Sequence, residues 1–85
     1  MPTSTVIVGS AVGLHARPAA IIAAAVNDSG EEVTLAMPGG EPVDAGSAML
    51  IMTLGANMGD SVEVSSPSQS AHDSIAALVA QDLDA

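Results

Sequence analysis

The sequence contains no cysteine, phenylalanine, tyrosine, tryptophan or lysine, and a single arginine. Without cysteine there is neither a disulfide nor a thiolate metal ligand. Without aromatic rings the interior must be built from small and aliphatic side chains, and the 85 residues supply 16 Ala, 9 Val, 6 Leu, 5 Ile and 5 Met for it. One cation against ten Asp and Glu leaves a net charge of −9, so no basic surface exists to displace counterions from phosphates. Nucleic acid and anionic membrane are set aside as partners. No stretch approaches the roughly 20 apolar residues of a membrane span. The opening residues 1–10 lack a basic region and hold an apolar run of only three, so no secretory signal and no membrane insertion are expected and the predicted address is the cytoplasm. A charged fraction of 13% and a positive mean hydropathy oppose disorder. The length fits one domain over residues 1–85, expected as a monomer.

Periodicity places the elements. Thr3 to Val8 is rich in β-branched residues, with Val6 and Val8 on one face of a strand and Thr5 and Ile7 on the other. A loop with two glycines follows, and Ala16 to Val26 is an alanine-rich helix that ends near Asn27–Gly30. Val33, Leu35 and Met37 alternate with Thr34 and Ala36 as a strand running into the turn Pro38-Gly-Gly40. Its return strand, Glu41 to Asp44, holds Pro42 and is therefore expected to be short and at an edge. Ser47 stands as an N-cap before a short apolar helix over 48–53. Asp60 to Ser65 alternates with Val62 and Val64 inward. Ser70-Ala-His-Asp73 has the form of a capping box before Ile75, Leu78, Val79 and Leu83 at helical spacing. The order β-α-β-β-α-β-α predicts an α+β fold, a two-layer open-faced sandwich in which a four-stranded antiparallel sheet carries three helices on one face.

Chemically capable side chains are few. His15 and Arg17 stand two residues apart where the loop gives way to the first helix. A helix N-terminus offers unpaired N–H groups and partial positive charge, which favour a bound phosphoryl group and a neutral, nucleophilic imidazole. Ala16, Arg17 and Pro18 form that first turn. A fixed guanidinium beside an acceptor nitrogen suits phosphoryl transfer, whose main demands are positioning and charge stabilisation. On spacing alone, a plain cap and a solvated arginine fit the same residues. His72, in the first turn of the last helix, reads as a solvated surface side chain. The two histidines lack carboxylates at ligand spacing, so neither a metal nor a cofactor is called for.

Gly13-Leu-His-Ala-Arg-Pro18 with Ala19 and Ala20 resembles the active-site signature of HPr, the family of histidine-containing phosphocarriers of the bacterial phosphoenolpyruvate:sugar phosphotransferase system. Ser47-Ala-Met-Leu-Ile-Met-Thr-Leu-Gly55 is similar to the family's regulatory-serine segment, and the order of elements agrees from Thr3 to the last helix. The acidic composition and the tail over 75–84 resemble members from high-GC Gram-positive bacteria. The resemblance implies a phosphocarrier, not an enzyme. His15 would take a phosphoryl group on Nδ1 from phosphorylated enzyme I and hand it to a sugar-specific enzyme IIA domain, with Arg17 neutralising the phosphoryl oxygens. It also implies, at Ser47, the position that HPr kinase/phosphorylase modifies in many Gram-positive members.

The chain departs from the family where basic residues are common, having Ala24, Asn27 and Ala45 in that neighbourhood. Docking is therefore expected to be apolar, through Ala20 and Ala24 of the first helix and Ala48, Met49 and Met52 of the second. Leu50 lies beside them, and Met49, Leu50 and Met52 are expected to divide between core and surface. Three alternatives stand beside the sugar-uptake carrier. One is an HPr-like carrier in a dihydroxyacetone-kinase relay. Another is a purely regulatory adaptor, against which the retention of both His15 and Arg17 speaks. The third, an acyl-carrier-like protein, is opposed by the three strand patterns.

Overall fold

Alternation along each strand decides which face of the sheet is dry. The computed structural model describes residues 2–83. Its elements are β1 (Thr3–Ile7), α1 (Ala16–Ser29), β2 (Thr34–Ala36), β3 (Val43–Asp44), α2 (Ala48–Thr53), β4 (Ser61–Ser65) and α3 (Gln69–Ala80). The sheet is ordered β1-β4-β2-β3 with every neighbour antiparallel. The register sets Ser4 opposite Val64, Val6 opposite Val62 and Leu35 opposite Val64, all on the face that meets the helices. Thr3, Thr5 and Ile7 lie on the open face and are exposed. There Thr3 and Ser65 share a hydroxyl–hydroxyl bond of 3.0 Å. The predicted two-layer α+β sandwich is the observed one. β3 is short and at the edge as Pro42 requires, while β2 is narrower than the 33–37 alternation suggested. Val33 remains fully buried, and its carbonyl accepts the Ala45 N–H at 2.9 Å.

Helix α1 turns Pro18, Ala19, Ile22, Ala23 and Val26 inward, a spacing that forms one stripe. Ala16, Ala20 and Ala24 repeat every fourth residue along the outer side and are exposed. Ile22 has no exposed surface, and burial of such a side chain contributes about 1.5–3 kcal/mol. Gly30, at φ +68°, ends the helix. Helix α2 begins at Ser47, whose Oγ accepts the Leu50 N–H at 3.3 Å. The expectation that Met49, Leu50 and Met52 divide between core and surface is corrected, because all three are exposed and Ile51 is the buried residue. A helix of six residues directs only a narrow arc inward. Here Ala48 and Ile51, three apart, occupy that arc, and Ala48 is half-buried against the core.

Two further corrections fall on α3. Ser68, not Ser70, is its N-cap and accepts the Ala71 N–H at 3.2 Å. Starting there adds two residues ahead of Ala71 and His72, both of which are buried. Asp73 does not return to a capping amide. Its Oδ1 accepts from Gln69 Nε2 at 2.7 Å and lies 2.9 Å from His72 Nδ1. His72 itself is buried, with Nε2 at 2.9 Å from Ser4 Oγ on β1. Its spacing explains this: residues 72, 75 and 79 fall on one helical face, and Ile75 and Val79 are buried. A carboxylate only accepts, so the Nδ1–H donates to Asp73, and Nε2 is left to pair with the Ser4 hydroxyl. Leu83 lies beyond the helix and packs half-buried against the core.

Candidate functional site

The residues from Val8 to His15 form an irregular loop with both flanks anchored. Val8 is fully buried, its N–H donating to the Asp60 carbonyl at 2.9 Å and its carbonyl accepting from Gly59 at 3.0 Å. The Gly13 N–H closes a turn onto the Ser10 carbonyl at 2.9 Å, and the Leu14 N–H donates to the Ala56 carbonyl at 2.9 Å. Gly13 sits at φ +74°, and a Cβ there would overlap the Ala56 carbonyl oxygen and come within 2.8 Å of Asn57 Cα. Only glycine allows the loop to lie this close to the segment after α2. Leu14 is buried, so the chain turns its next side chain, His15, outward.

His15 is the N-cap of α1, with φ −94°, ψ −163° and no side-chain capping bond. Its carbonyl accepts the Ala19 N–H at 2.8 Å, the first intrahelical bond. The amides of Ala16 and Arg17 therefore have no intrahelical partner. Pro18 has no amide hydrogen and is buried, so it holds the turn by packing and supplies no donor. His15, Ala16 and Arg17 are exposed, and Arg17 has no ion pair among the described residues. No acidic residue lies in this first turn, although the chain carries ten. The sole arginine lies there instead, a like charge against the helix dipole. That arrangement is unfavourable for the free helix and favourable once an anion is bound. A phosphoryl group at His15 would meet two backbone donors, a guanidinium and the positive end of a 14-residue helix.

Helices α1 and α2 pack together, and Asn27 couples them, its Nδ2 donating to the Ala23 carbonyl at 2.9 Å and the Gly46 carbonyl at 3.0 Å. Ser47 is half-buried at the start of α2, its N–H donating to the Asp44 carbonyl at 3.2 Å. The two helices expose apolar residues beside Arg17 and Thr53: Ala16, Ala20 and Ala24 on α1, and Met49, Leu50 and Met52 on α2. Val12 and Met58, 57% and 60% exposed, lie in the two loops that meet at Gly13. Sequence reasoning missed both, because an apolar residue in a turn follows no period. His72, bonded to β1, belongs to the core layer and not to this site. Among the described residues no group of three His, Asp or Glu is placed to hold a metal, and no helix is long and apolar enough to cross a membrane.

Comparison with known proteins gives a consistent result. The PTS-HPr family, described by the PTS HPr component phosphorylation site, matches residues 2–81. Phosphocarrier protein HPr of Streptomyces coelicolor is 40% identical over 80 residues, spanning 91% of this chain and 86% of that protein. Among solved structures, phosphocarrier protein HPr from Bacillus anthracis superposes with a TM-score of 0.84 at 28% identity, covering 92% of this chain and 95% of its own. HPr-C-His from Thermoanaerobacter tengcongensis gives a TM-score of 0.88 at 26% identity, covering 100% and 98%.

Proposed function

The chain belongs to the HPr family of phosphotransferase-system phosphocarriers, and we propose that within that role His15 is the phosphoryl acceptor, loaded by enzyme I and unloaded by enzyme IIA domains in the cytoplasm. The observation that carries this reading is the first turn of α1: an exposed histidine, the chain's one arginine, two unpartnered amides and no acid.

In this scheme the lone pair of a neutral imidazole nitrogen attacks phosphorus, and a P–N bond forms at His15 as the donor's bond to phosphorus breaks. The resemblance assigns that nitrogen as Nδ1. Arg17 and the amides of Ala16 and Arg17 take the charge of the equatorial oxygens, and Pro18 fixes the turn that aims them. Partners dock on Ala20 and Ala24 of α1 and on Met49 and Met52 of α2, all exposed, with Ala48 supporting α2 from beneath. Leu50, Val12 and Met58 extend the apolar area. Ser47 is the regulatory position. Its Oγ serves as an acceptor for Leu50 and its own O–H is left for phosphorylation by HPr kinase/phosphorylase.

Incubation with phosphoenolpyruvate and catalytic enzyme I should add one phosphate by intact mass, lost in acid and retained in mild alkali. His15→Ala should abolish the adduct and His72→Ala should keep it. Labelling that persists in His15→Ala would overturn the assignment.

A further inference from the structure

The loop that presents His15 is gripped from behind by the far end of the chain. Ser10 is fully buried. Its Oγ donates to the Gln81 carbonyl at 3.2 Å and accepts the Leu83 N–H at 3.1 Å, so this hydroxyl both donates to and accepts from the segment that follows α3. Next to it the Gly9 N–H donates to the Val79 carbonyl at 3.1 Å. A Cβ on Gly9 would overlap the Ala80 carbonyl oxygen and lie 2.7 Å from its carbon, so the end of α3 rests directly on the loop backbone. Ser10 also closes the turn toward the site, since its carbonyl receives the Gly13 N–H at 2.9 Å. Between the buried Val8 and Leu14, the Ala11 and Val12 side chains are exposed, while the Ala11 N–H reaches Asp82 Oδ1 at 3.5 Å. The turn is held chiefly by these polar contacts.

We propose that Ser10 is a positioning residue for phosphoryl transfer at His15, clasping residues 81–83 so that the end of α3 becomes part of the apparatus that presents the imidazole. This rests on the reading of His15 as acceptor. A turn held by few buried apolar contacts opens at low free energy, and transfer between two docked proteins loses rate when the acceptor atom wanders by about an ångström. The clasp restrains that movement without touching the phosphoryl group.

Ser66 provides the control. It is equally buried, its Oγ donates to the Glu32 carbonyl at 2.6 Å and accepts the Ser68 N–H at 3.1 Å, and it lies beside Pro2 at the opposite end of β1. The experiment compares full-length wild type, Ser10→Ala and Ser66→Ala in single-turnover transfer from phosphorylated enzyme I over a range of donor concentrations, with melting temperatures measured alongside. Ser10→Ala should lower the maximal rate about ten-fold while the half-saturating concentration stays within about two-fold. Ser66→Ala should lose comparable thermal stability and keep its maximal rate. A wild-type maximal rate in Ser10→Ala, or equal slowing in Ser66→Ala, would overturn the inference. Should Ser10→Ala not fold, Leu83→Pro deletes one clasp bond without altering the loop's sequence. The same fall is expected of it, and an unchanged rate refutes the proposal. A wild type that accepts no phosphoryl group at all refutes instead the acceptor role of His15, a result distinct from either.

Discussion

Substitution of Ser47 separates two tasks held by one side chain. Its Oγ accepts the Leu50 N–H at 3.3 Å and its carbonyl accepts the Ile51 N–H at 3.0 Å, and for a helix of six residues that cap is a large share of what fixes it. Ser47→Ala removes the acceptor at a cost of about 1 kcal/mol. With an unfolding entropy of about 2.1 cal/mol/K per residue, that loss lowers the Tm of an 85-residue chain by roughly 6 °C. Ser47→Asp keeps an acceptor of equal quality, and its charge gains a few tenths of a kcal/mol from the positive end of α2. Against this stands Asp44, whose carboxylate already accepts the Gly46 N–H at 2.8 Å in the same turn. The two effects nearly cancel, so the Tm of Ser47→Asp should stay within about 3 °C of wild type. Docking responds differently. The new carboxylate borders Met49, 74% exposed on the proposed partner face, and covering it without a partner costs about 1–3 kcal/mol. The KM of enzyme I for Ser47→Asp should therefore rise about ten-fold, while Ser47→Ala keeps the wild-type KM despite its lower Tm. Initial rates at low and high ionic strength test this. Repulsion is relieved by salt and desolvation is not. Equal KM values for all three proteins would reduce Ser47 to a helix cap.

Arg17→Ala should slow transfer from enzyme I at least ten-fold, about 1.4 kcal/mol of barrier, without loss of fold, because the side chain is exposed and has no ion pair among the described residues. Stopped transfer assays and melting curves check this, and an unchanged rate would leave the helix amides as the sole anion binders. The Asp73 carboxyl is held below its ordinary value of 3.8 by the His72 hydrogen bond first and the Gln69 hydrogen bond second. A depressed folded pKa stabilises above the unfolded value, and that stability is lost as pH falls through the folded one. Asp73→Asn should accordingly show a shallower loss of urea midpoint below pH 3.8 than wild type. Parallel curves would disprove the coupling.

How far the fold could be read ahead of the coordinates depended on whether a signal was local. The bounds of α2 were legible because Ser47 caps it and a run of apolar residues follows, and the edge position of β3 because Pro42 cannot donate to a ladder. The His15–Arg17 pair was visible because polar chemistry is so scarce in this chain. The burial of His72 was hidden, since its fate depends on Ser4, 68 residues away. The sequence pattern places the start of α3 two residues late because Ser68 and Ser70 are chemically equivalent caps, and tertiary burial of Ala71 decides between them. The outward turn of Met49, Leu50 and Met52 followed from the shortness of α2, a geometric limit that composition does not express. The Ser10 clasp was out of reach for a similar reason, its partners being main-chain atoms more than 70 residues distant.

The solitary arginine in the acid-free first turn of α1 would also make that turn a sign-reversing label for a phosphoryl group at His15. Unloaded, it displays one positive charge among exposed alanines, with Asp82 and Asp60 bonded to the adjacent loops at Ala11 and Asn57. A phosphoryl group brings on the order of two negative charges, so the loaded turn reads as net negative, and no second cation in the sequence can mask the change. A donor surface with slight negative potential would hold the empty carrier and repel the filled one, and an acceptor surface with slight positive potential would do the reverse. Direction along the relay could thus be sorted by polarity at the moment of contact, without any rearrangement of the backbone.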